Sequence, residues 1–226
     1  MIERMEHPEA VGGGREKRPR RGRRRVRNHL ALGLATLVAG GALFVGIGSP
    51  DGRFRASMAT AYVALALFAV TLAFGPVNAM RGRRYPVSTD IRRDFGIWAG
   101  LAAVAHVIIG LQVHLRGRMK EYFVDRIAGI WLPRPDLFGL ANYTGLVAGL
   151  IFLALLVTSN DASLRGLGTL RWGRLHALVL WALVLTVAHG AAYQVIEKRN
   201  AAFIALFAAL AMVAFGVRML AGRRRR

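Results

Sequence analysis

Cysteine is absent from all 226 residues. Disulfides, thiolate metal sites and thiol redox chemistry are thereby excluded, as is any prosthetic group fixed through thioether bonds. Acidic residues are scarce: 12 Asp and Glu stand against 32 Lys and Arg, a formal net charge of +20. No nucleophile elbow is present, and no paired carboxylates fall within the apolar stretches. Charge of either sign is missing from six long runs, at 30–49, 56–80, 95–115, 137–160, 175–196 and 200–217. Each is near the ~20 residues an α-helix needs to cross a bilayer core. In lipid the backbone must satisfy its own hydrogen bonds, so only helices or closed barrels cross, and these runs do not alternate as barrel strands do. The expected fold is therefore all-α, a polytopic membrane protein built as a six-transmembrane-helix bundle in the cell membrane.

What is abundant is arginine, and its distribution sets the expected orientation. With both termini cytoplasmic, 23 Lys and Arg lie inside and 9 outside, as the positive-inside rule favours. The segment "REKRPRRGRRRVR" (15–27) is read as a topology signal that touches anionic lipid, with no nucleic-acid partner. Residues 1–28 are expected to form a disordered basic cytoplasmic tail, 29–222 the six-helix domain, and 223–226 a basic C-terminal end. The loop "RGRMKEYFVDRIAGIWLPRPD" is expected to hold a short helix lying in the interface. Tyr122, Phe123, Ile127, Ile130 and Trp131 would fall near one side of it. Pro76 is a single break in span two, short of the paired broken helices that transporters use.

Six histidines remain to be explained. His7 lies in the tail and His29 at the first membrane boundary, and neither is assigned chemistry. The other four fall in only two spans: His106 and His114 in the third, His176 and His189 in the fifth. Ionisable residues inside a membrane are costly and mark function by default. At ~1.5 Å per residue, His106 lies roughly 16 Å and His189 roughly 21 Å from the inner ends of their spans. Two imidazoles at a common depth on neighbouring helices suit a planar haem with both axial positions filled. Without a Cys-x-x-Cys-His motif such a haem is bound non-covalently. His176 is 13 residues from His189, and on an ideal helix the two side chains point about 140° apart. An inner second site would need a partner near "IRRDFGIW", which offers Arg92, Arg93 and Asp94 instead. Trp98 and Trp181 are candidates for the edge of a haem pocket, with packing the plainer role. The glycines at 100, 110, 145, 149 and 173 are read as allowing close helix approach.

The ordered series Thr158–Ser159, Arg165, Leu167–Gly168, Trp172, Leu175–His176 and His189, preceded by "RRDFGIWAGLAAVAH", resembles the ferric reductase-like transmembrane domain family. Within it, the series is most similar to the haem b membrane subunits of bacterial periplasmic methionine sulfoxide reductase systems. The resemblance spans roughly 92–197. It implies a six-helix bundle that binds b-type haem between its third and fifth helices and passes electrons across the membrane. His106 and His189 would be the axial ligands of the haem iron, with His176 a family histidine at the inner side, a candidate for a second haem site or for tuning. Two departures stand out: Leu180 replaces a common aromatic, and the inner end of span three lacks the histidine of two-haem relatives.

The expected function is that of a haem b-binding electron-transfer subunit of an oxidoreductase, with no flavin or NAD(P)H domain of its own. "GGG" at 12–14 lacks the strand–helix context of a dinucleotide site. Electrons would come from a separate donor, a cytosolic flavin reductase carrying FMN or FAD or membrane quinol, and leave to a separate extracytoplasmic acceptor. The rival reading is a non-redox membrane protein, a transporter or assembly factor, with structural or proton-relay histidines.

Overall fold

The computed structural model describes residues 18–80 and 89–223. Seven helices follow one another: α1 (Arg18–Gly46), α2 (Gly52–Met80), α3 (Thr89–Gly110), α4 (Leu137–Val157), α5 (Asp161–Ala177), α6 (Val179–Ile196) and α7 (Ala201–Arg223). Among the described residues five helical stretches are long and apolar enough to cross a membrane, and a shorter apolar helix spans Ala201–Gly216. The chain is thus a multi-pass membrane protein, mostly helical. Residues 18–28 of the basic segment form the first turns of α1; residues 1–17 and 224–226 lie outside the described residues. Pro76 sits inside α2 without ending it. It is four residues from the helix end, where the one backbone bond it removes costs little continuity.

α2 is the most deeply buried helix and packs against α1, α3 and α7, while α4 packs against α6 and α3. The core brings Phe68 and Leu72 of α2 against Ala99, Ala102 and Ala103 of α3, Phe152 of α4, Ala182 and Leu183 of α6, and Ala214 of α7. The alanines explain the close approach: lipid tails are as apolar as leucine, so helix association rests on small residues and van der Waals contact. Phe68 and Phe152 meet edge to face with ring centres 4.8 Å apart, filling the space the alanines leave.

α1 is different. Its apolar residues Leu30, Leu34, Leu37 and Val38 are exposed, as suits a lipid-facing surface. It is tied to α3 at one end by a polar cluster around Asp94, whose side chain is fully buried. Arg25 donates to Asp94 from Nη2 at 2.8 Å and Nε at 3.2 Å, Asn28 donates at 3.3 Å, and His29 Nε2 lies at 3.2 Å. Further along, Gly33 lies against the Trp98 ring, where a Cβ would come within 2.8 Å.

The loop after α3 corrects the expected interfacial helix. Two 3-10 turns (Leu115–Gly117 and Met119–Tyr122) lead into a two-stranded antiparallel hairpin, β1 (Val124–Ile127) and β2 (Ile130–Pro133). Ile127 pairs with Ile130 across Ala128 and Gly129, both with positive φ (50° and 84°). This is the geometry of a two-residue primed turn. β-branched residues at 124, 127 and 130 favour strands, and the turn glycine takes the left-handed position. Asp136 then starts α4 by accepting from the Gly139 N–H at 2.7 Å. Arg134 holds the Asp136 carboxyl below its ordinary range through a hydrogen bond of 2.7 Å.

Candidate functional site

His106 on α3 and His189 on α6 face one another with ring centres 6.0 Å apart and planes at 71°. Each ring is anchored to the main chain of another helix. His106 Nδ1 lies 2.9 Å from the Ser57 carbonyl of α2, and His189 Nδ1 lies 2.8 Å from the Ala141 carbonyl of α4. A carbonyl oxygen can only accept, so in both rings Nδ1 carries the proton and Nε2 bears the lone pair. This arrangement, an imidazole oriented through its other nitrogen, is the one metal-ligating histidines use.

Small residues make those bonds possible. A helical carbonyl is reached past the side chain four residues on, and four residues after Ala141 stands Gly145. A Cβ there would come within 2.5 Å of His189 Nδ1. The corresponding position after Ser57 is Ala61. Gly149 continues the Gly145 stripe one turn along α4 and lies against Val107.

A cavity of about 180 Å³ is lined by both imidazoles and walled by α2, α3, α4, α6 and α7. Phe68 and Phe152 supply apolar wall, and Gly110, Gly145, Gly149 and Gly190 leave it room. Thr186 Oγ1 and Gln194 Oε1 are buried without a hydrogen-bond partner and line the same cavity. Among the described residues no three His, Asp or Glu side chains converge to hold a bare metal ion. The donor set instead offers two neutral imidazoles across an apolar gap. With metal–nitrogen bonds of about 2 Å, imidazoles on opposite faces of one metal have ring centres roughly 6 Å apart. The observed spacing fits a haem.

The remaining histidines are placed differently. His114, expected within span three, lies beyond it, because α3 ends at Gly110. The Tyr122 hydroxyl takes over there: it accepts from the His114 N–H at 2.7 Å and lies 3.1 Å from the Gly110 carbonyl and 3.2 Å from that of His114. The His114 ring stacks on Tyr193 and pairs through Nε2 with Glu197 Oε1 at 2.8 Å. That hydrogen bond holds the Glu197 carboxyl below its ordinary value against the opposing effect of burial. Tyr193 in turn touches His189, ring centres 4.9 Å apart, and donates to Asn142 Oδ1 at 2.8 Å. His176 stands at the end of α5, stacked on Trp172 with centres 3.7 Å apart and with Nε2 3.2 Å from Thr158 Oγ1. Among the described residues no second imidazole joins it. Of the tryptophans expected near the pocket, Trp181 is 63% exposed and Trp98 packs on Gly33; neither lines the cavity.

The sequence agrees with this arrangement. The model of the ferric reductase like transmembrane component matches residues 60–187. The chain belongs to that family. Two curated relatives are both called protein-methionine-sulfoxide reductase heme-binding subunit MsrQ. The protein of Deinococcus radiodurans is 31% identical over 148 residues, 66% of this chain and 66% of its own length. That of Ralstonia nicotianae is 30% identical over 155 residues, 69% of this chain and 65% of its own. The chain therefore spans just under two thirds of the length of each relative. No solved structure matches it. The family match contains His106 and His176 and stops two residues before His189.

Tyr193, Asn142 and Arg199 were missed as site residues by sequence reasoning. The partners of the two imidazoles are main-chain carbonyls, which no side-chain pattern signals. Gly145 was visible as a close-approach glycine, without its link to His189.

Proposed function

We propose that this chain is a haem b-binding, transmembrane electron-transfer subunit of an oxidoreductase. It would relay electrons from a cytosolic flavin or quinol donor to an extracytoplasmic acceptor. The observation that carries this reading is the pair of imidazoles on α3 and α6, ring centres 6.0 Å apart, each with Nδ1 committed to a carbonyl and Nε2 open. Membership of the ferric reductase like family and the heme-binding relatives support it. A haem with both axial positions filled passes single electrons and leaves no open position for oxygen or substrate.

The chain's own residues do the rest. His106 and His189 would hold the haem, each through its open Nε2. The Ser57 and Ala141 carbonyls fix each tautomer and ring angle before binding, so little order is lost when ligation occurs. Phe68 and Phe152 give the cavity apolar wall. Gly145 lets α6 approach α4 closely enough for the second anchor. His176 is a candidate for an inner second site or for tuning. We read the bundle as six spans with both termini cytoplasmic, a reading that rests on the distribution of Lys and Arg.

The test is an absorption spectrum of the purified protein in detergent, oxidised and dithionite-reduced, with a pyridine haemochrome assay for stoichiometry. A low-spin b-type spectrum lost in both His106→Ala and His189→Ala is the expected result. A protein that stays colourless when expressed with added haem would return the histidines to the rival reading of helix–helix glue or proton relay. Two haems per chain would assign His176 to the second; one would leave it to Trp172 and Thr158.

A further inference from the structure

Beyond α6 the chain turns sharply. Lys198 adopts a left-handed conformation, φ 47°, which an L-residue with a long side chain rarely takes. The Arg199 N–H then closes onto the Gln194 carbonyl at 3.1 Å. The consequence is that Arg199 points back into the bundle instead of out to water. Its guanidinium carbon lies 4.7 Å over the Phe54 ring and its Nη1 meets the Met58 sulfur. It lines the same cavity as His106 and His189.

That cation has no carboxylate within ion-pair distance among the described residues. Its sequence neighbour Glu197 pairs directly with His114 and acts on Arg199 only across space. A charge drawn off water against a phenyl ring and a thioether is costly unless an anion meets it. Orientation does not account for it either: the link between α6 and α7 is on the side expected to be poor in basic residues. Beside it, Gln194 keeps Oε1 buried without a partner while its Nε2 lies 3.4 Å from the Tyr62 hydroxyl. Rotating that amide would present a donor at the same place. A strained turn, a guanidinium with no carboxylate in direct contact and an unsatisfied amide thus meet at one end of a cavity whose other feature is two open imidazole nitrogens.

We propose that Arg199 is the anion seat of this cavity and receives the carboxylate side chains of the haem, fixing which way round the macrocycle enters. The proposal rests on the haem reading above and assigns a residue that reading does not use. Guanidinium and carboxylate match as a charge-assisted, two-pronged pair. A lipid phosphate would satisfy the same cation, and the test separates the two.

The protein is expressed in haem-poor cells, purified in detergent and titrated with protohaem and with protohaem dimethyl ester, in which both carboxylates are neutralised. The wild type is expected to prefer protohaem by about tenfold or more, an effect of the size a charge-assisted contact produces. Arg199→Gln should lose that preference while keeping the bis-imidazole spectrum, and Arg199→Lys should restore part of it. Equal affinity of the wild type for the two compounds, or a preference that survives in Arg199→Gln, would overturn the assignment and leave the guanidinium to lipid. The wild-type comparison needs no variant, so it decides even where Arg199→Gln fails to fold. Failure of both compounds to bind the wild type is a different result, and it overturns the haem reading itself.

Discussion

His189 and His176 stand 13 residues apart on consecutive helices, and their surroundings differ in one decisive respect. His189 gives Nδ1 to a carbonyl and keeps Nε2 open toward a cavity. His176 has Nε2 beside the Thr158 hydroxyl and its ring face covered by Trp172. The first arrangement spends one nitrogen to orient the other; the second engages a nitrogen and a face in packing. A histidine in a membrane helix is therefore characterised less by its depth than by which nitrogen its neighbours leave unused.

The sharpest way to break this contrast is to remove each ring. His189→Ala should abolish haem absorbance, whereas His176→Ala should leave the band of the His106–His189 site in place, as read from spectra of equal protein. Gly145→Val comes next. Its Cβ would come within 2.5 Å of His189 Nδ1, so the ring must shift and the anchor to Ala141 breaks. Overpacking of this kind costs on the order of 1–3 kcal/mol, and haem retained through purification should fall about tenfold or more, with a lower melting temperature. A smaller effect is expected at the C-terminal end of α6. Glu197 has its carboxyl depressed chiefly by the His114 hydrogen bond. Its contribution to stability is then complete above the ordinary carboxylate value and is lost as pH falls through the lower folded value. Melting temperature measured against pH should show this acid limb in the wild type and not in Glu197→Gln. Smallest is Asp136→Ala, which removes the α4 cap for about 1 kcal/mol; it should shift thermal stability slightly and leave any haem spectrum unchanged.

The membrane spans were legible because charge is excluded from long apolar runs, whereas α5, with Asp161, Arg165, Arg171 and Arg174, gave no such signal. His106 and His189 were paired by counting depth along two apolar runs. The same counting carried His114 too far. The run continues uncharged to Leu115, but the helix stops at Gly110 because the Tyr122 hydroxyl takes over its last turn from 12 residues away. The hairpin was hidden for a related reason. Its turn is Ala128–Gly129 and lacks the usual Asn or Asp, so alternation was the remaining signal, and five aromatic and aliphatic residues also fitted one side of a helix. Arg199 was beyond sequence reasoning altogether. Its direction depends on a positive φ at Lys198, a position where nothing in the side chain announces the turn.

The polar clasp on α1 has a consequence for how the molecule is assembled. Helix α1 is held at both ends: Leu43 and Phe44, with Ile47 just beyond the helix, pack on Met58 and Tyr62 of α2, while Arg25, Asn28 and His29 gather around Asp94 and Gly33 meets Trp98. Asp94 and Trp98 both belong to α3, and Asp94 follows Arg25 by 69 residues. During synthesis α2 is therefore available to α1 first, while the basic end of α1 stays unlatched until the helix that carries its counter-charge arrives. Helix α1 is in this sense paired by α2 and latched by α3.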